Sequence, residues 1–192
     1  MRDVASAQRG APELSVGSRV IPVVPPFARV TVAEAFAAHA DVGEDEMLAM
    51  AERDEDRFFR LLVERVEPAL AALPHPVFLI DYPVQQASLA RRKPGDARYA
   101  ERFELYVGGV ELCNGFGELT DPGEQRARFL GDQRARATAG RPVYPIDARF
   151  LEALESGLPR CAGNALGLDR LVALSAGAAT IADVQAFPCD EL

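Results

Sequence analysis

Glu104 and Glu111 lie on two strand-like stretches of the run 102–119, separated by Gly108-Gly109. A Gly-Gly pair in that setting favours the tight primed turn of a β-hairpin. With a two-residue loop, Val107 faces Val110, Tyr106 faces Glu111 and Glu104 faces Cys113. Alternation along the strands then puts Glu104, Tyr106 and Glu111 on one face. Two carboxylates crowded on one face repel each other unless a cation lies between them. The spacing therefore points to a divalent metal, with or without a nucleotide phosphate. A solvated outer sheet face is the alternative reading of the same segment.

The elements that must position this hairpin are legible on either side. Residues 1–25, punctuated by Gly10, Pro12, Gly17, Pro22 and Pro25, read as an extended or poorly ordered arm, with one strand within 18–24. Thr31-Val32-Ala33-Glu34 is a capping box that opens a short helix to Ala40. An acidic helical piece covers 44–52. Asp54 or Asp56 then caps an amphipathic helix with Phe58, Phe59, Leu62, Val66 and Leu70 on its apolar side, kinked or ended by Pro68. Residues 77–82 form an apolar central strand. Asp121 and Pro122 start a polar helix to Thr138, and Asp147 caps another that stops at Gly157. A glycine-rich helix at 163–175 and a terminal segment at 180–187 follow. Helices interleaved with strand runs and a hairpin predict an α+β fold with a mostly antiparallel sheet flanked by helices.

Composition narrows the function classes. The 192 residues are 48% hydrophobic and carry a formal charge of -8, which disfavours nucleic-acid binding through this chain alone, because such binding needs a basic surface. No apolar run is long enough for a membrane span and no secretory leader is visible. Cys113, Cys161 and Cys189 are odd in number and lack paired metal-ligand spacing, which points to a reducing, cytoplasmic setting rather than disulfides or zinc.

Two segments match a family pattern. Glu104 followed by Glu111-Leu112-Cys113-Asn114-Gly115-Phe116-Gly117-Glu118-Leu119-Thr120-Asp121 resembles the signature of class II lysyl-tRNA synthetases. Gly163-Asn164-Ala165-Leu166-Gly167-Leu168-Asp169-Arg170-Leu171 resembles motif 3 of the class II superfamily. Pro26-Phe27-Ala28-Arg29-Val30, the run 86–90 (Gln-Ala-Ser-Leu-Ala) and the run 101–104 (Glu-Arg-Phe-Glu) resemble the branch that attaches β-lysine to a lysine of elongation factor P. The resemblance runs from about residue 26 to the C-terminus, which makes 26–192 a partial class II synthetase-like catalytic domain.

What the resemblance implies is specific. The positions matching Glu104 and Glu111 coordinate the Mg2+ and phosphates of ATP. Those matching Asn114, Phe116 and Glu118 line the amino-acid pocket, with the carboxylate facing the substrate amine. Arg170 matches an ATP-contacting arginine that acts in catalysis, and Gly163 and Gly167 match positions where backbone approaches the nucleotide. Ala165 stands where the tRNA-charging enzymes carry glycine and the protein-modifying branch carries alanine, on the substrate side. Strict alternation puts Glu111 and Asn114 on opposite faces, so the pocket needs a β-bulge, expected near Gly115.

The expected partners are ATP, a lysine-like amino acid, and a protein acceptor or complementing subunit; a homodimer is compatible. Motif 1 and the F-R-x-E strand of motif 2 are not found in the 192 residues, and the R-x-E strings at Arg65 and Arg102 do not replace the latter. The chain is thus expected to be an N-terminally truncated paralogue, and three readings stay open. It is a ligase half that forms or binds an aminoacyl-adenylate with motif 2 supplied by a partner, an inactive amino-acid- or nucleotide-binding regulatory subunit, or an interaction module without a ligand.

Overall fold

The computed structural model describes residues 1–188, so Cys189 lies outside the described residues. Helix α1 (Arg2–Arg9) leads into a two-stranded antiparallel ribbon, β1 (Glu13–Val16) and β2 (Arg19–Pro22). The main sheet has five strands in the order β3-β4-β5-β6-β7: β3 (Ala28–Thr31), β4 (Val77–Pro83), β5 (Tyr99–Val107), β6 (Val110–Gly117) and β7 (Ala162–Leu166). Only the β3–β4 pair is parallel. Between them run α2 (Val32–His39), α3 (Glu44–Arg53), α4 (Glu55–Leu61) and α5 (Glu67–Ala72); α6 (Pro122–Thr138) and α7 (Ala148–Glu155) precede β7, and α8 (Leu168–Ala176) follows it.

The sheet is covered on both faces by separate apolar clusters. On one face Phe36, Met47, Phe58, Leu62, Val66 and Leu70 of the helical segment 32–72 pack on Val77, Leu79, Tyr82 and Tyr106. Phe36 and Phe58 stack with centroids 4.9 Å apart. On the other face Ala5, Leu14, Ile21, Leu171 and Leu174 bury Leu105, Val107, Leu112 and Cys113. Burial of this kind supplies about 1.5–3 kcal/mol for each large side chain.

Local chemistry explains the helix ends. Thr31 Oγ1 accepts from the Glu34 amide while the Thr31 amide donates to the Glu34 carboxylate at 2.8 Å, the reciprocal capping box. Asp54, Asp121 and Asp147 accept from the amides of Arg57, Glu124 and Phe150. Pro68 neither ends nor sharply breaks its helix. Residues Leu62–Val66 widen into a π-helical turn in which the Glu67 amide reaches the Leu62 carbonyl, and α5 continues through the proline. The wider turn relieves the clash between a proline ring and the carbonyl four residues back.

Three expectations are corrected. The first 25 residues are not an extended arm, because the alternating apolar residues Leu14, Ile21 and Val23 give the ribbon a buried face that seals α8 to the sheet. Residues 162–166 form edge strand β7 rather than the start of a helix; the helix begins only after Gly167, at Leu168. Phe59 is exposed rather than on the apolar side, because the buried positions 58, 62, 66 and 70 recur every four residues and leave it beside the seam.

Candidate functional site

Gly108 and Gly109 form the expected turn, both at positive φ (59° and 92°), which a primed turn requires and glycine alone adopts without strain. Val107 pairs with Val110 and Tyr106 with Glu111. The register then shifts. Leu112 is the extra residue, so Leu105 faces Cys113 and Glu104 faces Asn114. The bulge that brings Glu111 and Asn114 to one face therefore exists, but at Leu112 and not near Gly115. As a consequence Cys113 turns away from Glu104, into the apolar cluster under α8, where burial raises its thiol pKa. Both Cys113 and Cys161 are free thiols.

A second irregularity, unseen in the sequence, completes that face. In β4 the pairing jumps from Ile80–Phe103 to Tyr82–Ala100, with Asp81 at φ 58°. Two residues of β5 thus oppose one of β4, which re-aims Tyr82 to the face of Glu104. Lys93, the chain's single lysine, holds the Asp81 carboxylate at 2.6 Å.

Glu104 is the hub. Its Oε1 accepts from Arg102 Nη2 at 2.6 Å and Asn114 Nδ2 at 3.3 Å. Its Oε2 accepts from the Tyr82 hydroxyl at 2.6 Å and the Tyr106 hydroxyl at 2.8 Å. Arg102 is itself clamped: Nη1 donates to the Gln86 carbonyl at 2.6 Å, and the guanidinium lies 4.4 Å from the Tyr82 ring centroid and 6.0 Å from that of Phe116. Burial first, and the adjacent Glu104 charge second, push both tyrosine pKa values far up. The two hydroxyls therefore remain donors at any working pH.

The remaining residues lie on this face or reach it from its rim. Asn114 is opposite Ala165, and Phe116 is opposite Gly163. The buried Asn114 Oδ1 has no hydrogen-bond partner among the described residues, an orphan acceptor that a donor on a ligand would satisfy. Glu118 follows β6, its amide bonded to the Cys161 carbonyl at 3.1 Å, and its carboxylate occupies the space a Cβ on Gly163 would need. Gly163 therefore makes room for Glu118. Arg170, on the first turn of α8, donates from Nη1 to the Glu111 carbonyl at 2.6 Å and lies 3.7 Å from the Glu111 carboxylate. Gly167 packs against the Arg170 side chain, and its amide donates to the Leu112 carbonyl at 2.9 Å. Asp169 pairs with Gln185 and leaves Arg170 to Glu111.

Three contributors to this face are not evident from the sequence: Arg102 reads as a strand residue, Tyr82 as apolar core, and Glu67 as part of a helix. Glu67 reaches the Tyr106 hydroxyl at 3.3 Å. Burial, then the charges of Glu104 and Glu111, raise its carboxyl pKa against the opposing Tyr106 bond. The one available signal is Pro68 directly after an acid within an amphipathic helix.

The donor set suits a nucleotide-bound metal better than a protein-only cage. Among the described residues no group of three or more His, Cys, Asp or Glu side chains could hold an ion. Mg2+ is ordinarily held by one or two carboxylates together with substrate phosphates and water, and the half-exposed Glu111 carboxylate beside an arginine is compatible with that arrangement.

The five-stranded, largely antiparallel sheet with helices on both faces is the α+β architecture of part of a class II synthetase core. Residues 4–191 match the family of class II tRNA synthetases for aspartate, lysine and asparagine, and the chain belongs to it. Relatives within the family are 53% identical over 142 residues (the elongation factor P–(R)-β-lysine ligase of Proteus mirabilis) and 51% over 144 residues (that of Klebsiella pneumoniae). These alignments cover 73% and 74% of this chain but 43% and 44% of the relatives. The chain thus spans less than half the length of the curated relatives it matches. Among the described residues, no helix is long and apolar enough to cross a membrane.

Proposed function

We propose that this chain carries the amino-acid-recognising part of a cytoplasmic, ATP-dependent ligase that activates lysine or β-lysine as an aminoacyl-adenylate. The observation that carries the reading is the shared face on which Glu104, Glu111, Asn114 and Ala165 lie, with Glu118 at one end and Arg170 at the other. Glu118 receives the side-chain ammonium of the amino acid, a charge-assisted contact. The orphan Asn114 Oδ1 accepts from the same substrate. Phe116, beside Arg102, forms the apolar wall. Glu111, joined by Glu104 once one of its present donors gives way, would hold Mg2+, which would neutralise phosphate charge there. Arg170 offsets the negative charge of the phosphates.

In the activation step a carboxylate oxygen of the amino acid attacks the α-phosphorus and the bond to pyrophosphate breaks. The acceptor amine then attacks the acyl carbon and AMP leaves. No side chain forms a covalent intermediate; positioning and charge suffice. The strand that grips the α-phosphate in the family comes from outside these 192 residues. The acceptor is a protein lysine, by analogy with the ligases named above.

The test is lysine-dependent exchange of pyrophosphate into ATP. The chain is mixed with the polypeptide that corresponds to the uncovered portion of the Proteus mirabilis ligase. Exchange that appears only in the mixture, and disappears with Glu118→Ala, is expected. Adenylate binding without exchange would instead make the chain a regulatory amino-acid- and nucleotide-binding subunit. Absence of both would end the reading.

A further inference from the structure

Glu104 cannot take a cation as it stands. An ionised carboxylate offers about four acceptor positions on its two oxygens, and four donors occupy them: Arg102 and Asn114 on Oε1, Tyr82 and Tyr106 on Oε2. One donor must leave before a metal ion or ammonium can bind, and a donor that leaves into a buried site without another acceptor is penalised.

The four donors are not equally free to go. Arg102 is fixed by the Gln86 carbonyl and by the Tyr82 and Phe116 rings. Tyr82 is almost fully buried, and its hydroxyl bonds only Glu104 among the described residues. The Asn114 amide likewise has Glu104 as its only side-chain partner. Among the described residues, Tyr106 is the one of the four whose donated proton itself has a second acceptor in reach, Glu67 Oε1 at 3.3 Å. Its hydroxyl carries one proton and can serve either carboxylate.

Glu67 is held there by a specific backbone device. The π-helical turn Leu62–Val66 inserts one extra residue before it. One residue turns a helix by about 100°, so the insertion re-aims the face that follows, and Glu67 looks across to β5. Such turns recur at functional sites.

We propose that Glu67 is a positioning residue for cation binding: it takes the Tyr106 hydroxyl hydrogen bond when Glu104 turns an oxygen to the metal ion. This rests on the reading of Glu104 and Glu111 as the ATP-Mg2+ carboxylates. Glu67 touches neither nucleotide nor amino acid; it acts through Tyr106.

The test is calorimetric titration of ATP-Mg2+ into the full chain and into Glu67→Ala, Glu67→Gln, Tyr106→Phe and the Glu67→Ala/Tyr106→Phe double variant, each checked for folding by circular dichroism. Loss of Glu67 weakens binding about tenfold, a coupling of the size seen for hydrogen-bonded neighbours. Glu67→Gln, whose amide oxygen still accepts the hydroxyl, restores it to within about twofold of the parent. With no hydroxyl to relocate, the double variant binds like Tyr106→Phe. If Glu67→Ala binds like the parent, or weakens both backgrounds equally, the positioning role is wrong. If the parent chain itself fails to bind ATP-Mg2+, the nucleotide reading has failed, and the role falls with it.

Discussion

Arg102 and Glu104 stand two residues apart on one face of β5, Nη2 to Oε1 at 2.6 Å, with both side chains largely withdrawn from water. Neither charge is affordable alone at that depth. Removing one partner of a buried pair costs about 3–5 kcal/mol, because the other charge is left uncompensated. Arg102→Met is therefore expected to destabilise the chain by about 3 kcal/mol, measured by urea unfolding. A loss below about 1 kcal/mol would show that Glu104 does not depend on the guanidinium.

Gly163→Ala makes the opposite kind of change. The added Cβ overlaps the Glu118 carboxylate, the mobile end of a side chain beside an edge strand. Stability should change by less than about 1 kcal/mol, since the carboxylate can swing aside. Lysine affinity should fall about tenfold, the loss expected for one charge-assisted contact. Calorimetry alongside thermal melting separates the two effects.

The raised Glu67 carboxyl gives a pH signature. Unfolded, this group ionises near 4.5, while in the fold burial and the neighbouring acids hold the proton to higher pH. The folded state therefore binds more protons between the two values, and stability falls as pH rises through that window. Glu67→Gln should melt at a higher temperature than the parent above the window and show a flatter profile from pH 4 to 7. Identical slopes would contradict the assignment.

Glu34 behaves in reverse. The Thr31 amide, then its hydroxyl, lowers the Glu34 carboxyl below its usual value. Its contribution is present above about 4.5 and is lost as pH falls through the folded value. Thr31→Ala should cost about 1 kcal/mol at neutral pH and less in acid, read from denaturant midpoints at the two pH values.

The parts of the fold that rest on local chemistry were legible. The capping box at Thr31, the aspartate caps at Asp121 and Asp147, and a cap at Asp54 or Asp56, which the structure resolves to Asp54, follow from side chains acting on adjacent backbone; the Gly108-Gly109 turn follows from the lack of them. The hairpin face of Glu104, Tyr106 and Glu111 follows from alternation, and the need for a bulge follows from the family resemblance, which assigns Glu111 and Asn114 to one face. Its position did not, because bulge placement is set by what both faces pack against, here Leu112 under α8. Asp81 at positive φ was hidden for the same reason, as it re-aims Tyr82 through pairing with β5. Glu67 escaped notice because sequence cannot distinguish a proline that ends a helix from one absorbed by a π-helical turn. Strand β7 was missed because its Gly- and Ala-rich segment has little strand propensity and owes its conformation to pairing with β6.

The most direct measurement is titration of a non-hydrolysable lysyl-adenylate analogue into the 192-residue chain and into Glu118→Gln. Saturable one-to-one binding, at least tenfold weaker in the variant, is expected if Glu118 receives the amine. No binding to the parent, or equal binding to both, would contradict the assignment of this sheet face as an amino-acid adenylate site.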